Sequence, residues 1–102
     1  MIRILEENRD AIAGLCGRYG VVRLEVFGSA LREDFRPETS DLDLLVEFAP
    51  MDPHDRADAY FGFLNEVRSL LAMNVDLVVS EAVKNRYIAA DIKRTKQLFY
   101  AA

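Results

Sequence analysis

Three aspartates and a Gly-Ser pair carry the chemistry in this sequence. Asp41 and Asp43 form an Asp-x-Asp pair, Gly28-Ser29 opens the short connection that leads to it, and Asp76 interrupts the apolar run Val75-Asp-Leu-Val-Val79. In a strand, alternate side chains share a face and lie about 6.6 Å apart. Asp41 and Asp43 therefore point the same way, while Leu42, Leu44, Val46 and Phe48 alternate on the opposite face and anchor it in a core. Like charges held side by side repel, and protonation, a basic neighbour or a bound cation relieves them. Oxygen-only ligands suit a hard ion such as Mg²⁺, which keeps several waters and is commonly held by one or two carboxylates together with substrate phosphates. The chemistry implied is that of a metal-bound nucleoside triphosphate.

Gly28-Ser29 fits the same picture, because glycine lets phosphate approach the backbone closely and serine adds a hydroxyl. A short helix over Ala30–Phe35, ended by Pro37, would aim free N–H groups and a positive dipole end at the phosphates. Taken singly, the pair also reads as an ordinary strand-to-helix turn, and Asp41-Leu42-Asp43 as a solvated strand end. Asp76 shifts the balance, since an acid inside so apolar a strand is costly unless paired or metal-bound. If its strand neighbours residues 42–48, Asp76 completes a three-carboxylate cluster able to hold two metals. The alternative is an ion pair between Asp76 and Arg23.

The elements that must position these residues follow from periodicity. Strands are predicted over 21–27, 42–48 and 75–79. A first helix carries the stripe Leu5, Asn8, Ile12, Leu15, Cys16, Tyr19. Asp52-Pro53 and Asp55 signal the start of a second, whose Ala57, Tyr60, Phe61, Leu64, Val67, Leu70 and Leu71 trace one face. A last helix near 81–100 places Ile88, Ile92, Thr95 and Phe99 on a stripe that Tyr87, Leu98 and Tyr100 widen. The order predicts an α/β or α+β domain with a small mixed sheet flanked by helices. The order of strands in the sheet is not readable.

With 102 residues, 51% of them hydrophobic, the chain is expected to be a single domain, 1–102, with one modest core. Its lone Cys16 reads as a core thiol in a reducing compartment, and His54 as structural. No leader-like segment and no apolar run near the roughly 18 residues of a membrane span are evident, so a soluble cytoplasmic protein is expected. The net charge of −4 divides unevenly: residues 32–58 hold nine acids against three bases, whereas Lys84, Arg86, Lys93, Arg94 and Lys96 outweigh Asp91 near the C-terminus. The acidic total and the lack of a stacking aromatic motif argue against a dedicated nucleic-acid binder, leaving a solvated helix face or an acidic partner for that basic segment.

Gly28-Ser29, a short helix, Asp41-Leu42-Asp43 on a strand and Asp76 on a later one resemble the minimal nucleotidyltransferases of the DNA polymerase β-like superfamily, over nearly the whole chain. Glu33 departs from the glycine usual after Arg32. The resemblance implies that Asp41, Asp43 and Asp76 are catalytic and ligand two Mg²⁺ ions with bound ATP, and that Gly28, Ser29, Arg32 and Ser40 bind the nucleotide. It further implies an antitoxin that pairs with a HEPN-type ribonuclease toxin and, when active, transfers AMP to a toxin tyrosine. A hetero-oligomer is thus expected. A non-catalytic antitoxin acting by binding alone, and a transferase acting on a small molecule or an RNA end, are the competing readings.

Overall fold

The structure is a computed structural model and describes residues 2–31, 35–36, 38–80 and 95–102. Helices α1 (Arg3–Glu7) and α2 (Arg9–Tyr19) lead into strand β1 (Val21–Phe27). A 3₁₀ turn (Gly28–Leu31) follows, then β2 (Leu42–Phe48), α3 (Pro53–Leu71), β3 (Val75–Val79) and β4 (Gln97–Ala101). The four strands form one mixed sheet in the order β3-β2-β1-β4. Strand β1 runs antiparallel to both β2 and β4, whereas β2 and β3 are parallel, joined by α3 as crossover.

Helices α2 and α3 cover one face. Ile12, Cys16, Phe63 and Val67 pack there with Leu24 and Val26 of β1, Leu44 and Val46 of β2, and Val75 and Leu77 of β3. Asp52 starts α3 by accepting the Asp55 N–H at 3.0 Å, and Pro53 occupies the first turn, where its missing N–H costs nothing. The helix stops at Ala72, which takes the left-handed conformation (φ 53°). Cys16 is fully buried, and desolvation pushes its thiol up to about 12. It is expected to stay inert to Ellman's reagent in the folded protein and to react at once in denaturant; rapid labelling under native conditions would show that the α2 face opens.

Four details differ from the sequence-based expectations. The predicted first helix is two helices, because Asn8 leaves helical geometry (φ −110°, ψ 16°) and its side-chain amide donates to the Ile4 carbonyl at 2.8 Å. The stripe of α3 is rotated: Ala59, Phe63, Leu64, Val67 and Leu71 are its buried residues, whereas Phe61 is 60% exposed and Ala57 faces solvent. The turn after β1 is a 3₁₀ helix beginning at Gly28 itself, not an α-helix from Ala30. Most consequentially, residues 97–101 are strand, not the end of a helix near 81–100; residues 81–94, with Tyr87, Ile88 and Ile92, lie outside the described residues. Pairing with β1 wins because a short apolar run has no decisive period of its own.

Among the described residues strand β3 is an edge, and side chains of α3 lie over it. Its Val75 carbonyl accepts from Arg68 (Nη2 at 2.9 Å) and its Leu77 carbonyl from the Tyr60 hydroxyl at 2.6 Å. At the other edge β4 carries a bulge opposite Leu24/Glu25, where the Phe99 carbonyl accepts from Arg9 at 2.8 Å and the Arg9 guanidinium lies 4.4 Å from the Phe99 ring centre.

Candidate active site

On the sheet face opposite α2 and α3, strand register aligns the acidic residues. Phe27 lies opposite Asp43 in the β1–β2 ladder, and Asp43 opposite Asp76 in the β2–β3 ladder. Directly paired residues on adjacent strands share a face, about 4.8 Å apart. Phe27, Asp43 and Asp76 thus form one transverse row. The Leu42 N–H donates to the Asn74 carbonyl at 3.0 Å, which fixes the start of β2 against that of β3. Asp41 immediately precedes β2 and is exposed, Asp43 is half-buried and Asp76 is exposed.

The glycine turn sits directly on this row. Gly28 adopts φ +70°, and a Cβ at that position would collide with the Asp43 carboxylate. The glycine thus makes room for the aspartate. Ser40, next to Asp41, closes a turn: its hydroxyl accepts the Arg36 N–H at 3.1 Å, while its own N–H donates to the Arg36 carbonyl at 2.7 Å. Ser40 therefore shapes the approach to Asp41. Arg32, Glu33 and the Ser29 side chain lie outside the described residues.

The pairing of Asp76 with Arg23 does not occur. Arg23 is opposite Glu47, far along β2 from Asp43, and its Nε lies 3.3 Å from Glu25 instead. Among the described residues, one group of three brings its ligand atoms within 4.8 Å of one another, and it is His54, Asp55 and Asp58 on the first turns of α3, all exposed. Local structure accounts for it: Asp55 follows the Asp52 cap, and His54 and Asp58 pair one helical turn apart at 3.5 Å. Asp41, Asp43 and Asp76 do not close to that spacing. A divalent cation bound among the three carboxylates would draw them together. Their all-oxygen donor set at the mouth of a glycine turn fits Mg²⁺ carried with a phosphate ligand.

One pairing on the same face was not legible in the sequence, that of Glu25 with Lys96. Glu25 is only 4% exposed and stands between Leu45 of β2 and Leu98 of β4. Its Oε1 accepts from Lys96 Nζ at 3.1 Å. The available signal was an acid at the centre of the apolar run Val21–Phe27; Lys96 was hidden by its assignment to a helix face.

A mixed sheet bearing paired aspartates beside a glycine turn defines a minimal nucleotidyltransferase. The chain belongs to the nucleotidyltransferase domain family, whose model matches residues 9–99. A protein of Methanocaldococcus jannaschii that carries the name of a candidate protein adenylyltransferase, MJ0128, is 36% identical over 76 residues, which is 74% of each chain. The fold superimposes on a structure described as a candidate minimal nucleotidyltransferase with TM-score 0.66 and 34% identity, covering 91% of this chain and 90% of that one. It also matches, at TM-score 0.64 and 18% identity over 95% of this chain and 72% of the other, a structure of a tri-AMPylated Shewanella oneidensis HEPN toxin in complex with its MNT antitoxin.

Proposed function

We propose that this protein is an Mg²⁺-dependent adenylyltransferase that moves AMP from ATP to a tyrosine of a HEPN-type toxin partner, and so acts as an antitoxin. The observation that carries the reading is the pairing of Asp43 with Asp76 across β2 and β3, with Asp41 one step away and Gly28 packed on Asp43. Support for protein as acceptor comes from the name of the 36% identical archaeal relative, and for a toxin from the AMPylated complex that shares the fold.

Asp41, Asp43 and Asp76 would hold the metal, which supplies charge neutralisation at the attacking and leaving oxygens when bound. The Gly28-Ser29 turn, with Arg32, would seat the triphosphate, and Ser40 would keep Asp41 in place. Asp76 would orient the tyrosine hydroxyl in line with the α-phosphorus. The hydroxyl oxygen forms the new P–O bond, the bond from the α-phosphorus to the β-phosphate bridging oxygen breaks, and pyrophosphate leaves with the electron pair while the hydroxyl proton passes to water. Such a pair works as a hetero-oligomer, and the buried free thiol of Cys16 suits the reducing cytoplasm.

The test is transfer of label from α-labelled ATP with Mg²⁺ onto a co-purified partner, comparing wild type with Asp41→Asn/Asp43→Asn. A discrete labelled protein that disappears with the variant is the expected result. Equal co-purification of the partner with both forms, without label, would sink the catalytic reading in favour of neutralisation by binding. Label on a small molecule or an RNA end would redirect it to another acceptor.

A further inference from the structure

We propose that Lys96 contacts the triphosphate of the bound nucleotide and that buried Glu25 is the residue that positions it, an inference resting on the nucleotidyl-transfer reading above. The register gives the placement. Gln97 lies opposite Val26, so Lys96 enters the sheet at the level of Phe27, which is itself opposite Asp43, which is opposite Asp76. The backbones of Lys96, Phe27, Asp43 and Asp76 therefore lie along one transverse line, and the Lys96 ammonium reaches back one line to Glu25. Two strand spacings, about 10 Å, separate the backbones of Lys96 and Asp43. A lysine side chain and an extended triphosphate together span that gap.

The next line along the sheet is apolar: Leu98 and Leu45 flank Glu25. A carboxylate between two leucines is costly, and a buried ion pair is rarely more stable than apolar residues of the same volume. The arrangement makes sense as a device for holding Lys96. One Glu25 oxygen takes the ammonium at 3.1 Å, with Arg23 at 3.3 Å as a second cation, and the Lys96 side chain stays 28% exposed. An ammonium has three N–H donors, so two remain for phosphate oxygens. Arg23 reaches the same Glu25 oxygen from the level of Glu47, two lines further from the aspartate row than the Lys96 backbone.

The experiment compares wild type with Lys96→Gln, Glu25→Gln/Lys96→Gln and Arg23→Gln, measuring the urea midpoint and the affinity for ATP with Mg²⁺ by calorimetry. Lys96→Gln should lower both. The double variant removes both charges and should recover the midpoint while its ATP affinity stays about tenfold down, the usual worth of one charge-assisted contact. Arg23→Gln should lose stability with its ATP affinity intact. Wild-type affinity in a stable double variant would overturn the proposal and leave the pair structural. An equal fall in affinity for Arg23→Gln would do the same, and that comparison holds even if the double variant fails to fold. A folded wild type that binds no ATP with Mg²⁺ would remove the nucleotidyl-transfer reading itself and this inference with it.

Discussion

Asp43→Asn is expected to cut nucleotidyl transfer by about 10²-fold or more while leaving the protein folded. The substitution keeps the shape of the side chain, so the Gly28 backbone that packs on it meets no new atoms. What disappears is one negative charge at the centre of the acidic row. That charge would help hold the metal that neutralises the reacting phosphoryl group, and losing one electrostatic stabiliser of a transition state typically costs two to three orders of magnitude, roughly 3–4 kcal/mol. In the folded protein the same charge also repels Asp76, its direct neighbour across β2 and β3, which offsets part of what the substitution loses. Initial-rate measurements with Mg²⁺, paired with calorimetric melting, read both halves. Retained activity would remove Asp43 from the machinery, and a collapse of stability would reclassify it as structural.

The second large effect is on stability. Phe63 has no exposed surface and sits among α2, α3 and the sheet, with the Tyr19 ring edge-on at 6.3 Å. Phe63→Ala should cost about 3–5 kcal/mol, the range for emptying a buried aromatic site. Small domains have about 5–15 kcal/mol in all, so much of the population would unfold near physiological temperature. Phe61→Ala, two positions earlier on the same helix but 60% exposed, should fall within about 0.5 kcal/mol of wild type. Urea denaturation of the two variants side by side decides whether the rotated stripe is correct; comparable losses would contradict the packing described for α3.

That pair of phenylalanines also shows where sequence reading succeeds and fails. Strands β1, β2 and β3 were legible to the residue because Leu42, Leu44, Val46 and Phe48, like Val75, Leu77 and Val79, alternate without interruption. The mixed sheet and helical layer follow from element order. The α3 stripe was misread because apolar residues at Phe61, Phe63 and Leu64 support more than one face, and only the position of the sheet decides among them. Tyr60 was rightly placed on the inward side of the helix, but its hydroxyl bond to the Leu77 carbonyl, seventeen residues away, was not legible. The alignment of Asp43 with Asp76 needed strand order, which no local pattern encodes. For Glu25 and Lys96 the separation is 71 residues and the link is a single hydrogen bond across β1 and β4. A segment read as helix could not have revealed it.

The side chains laid over β3 bear on how molecules of this protein behave toward each other. With the Val75 carbonyl held by Arg68 and the Leu77 carbonyl by Tyr60, a foreign strand arriving at that flank finds two of its acceptors already engaged. Even when the chain is concentrated, growth into a fibre is disfavoured at that flank of the sheet.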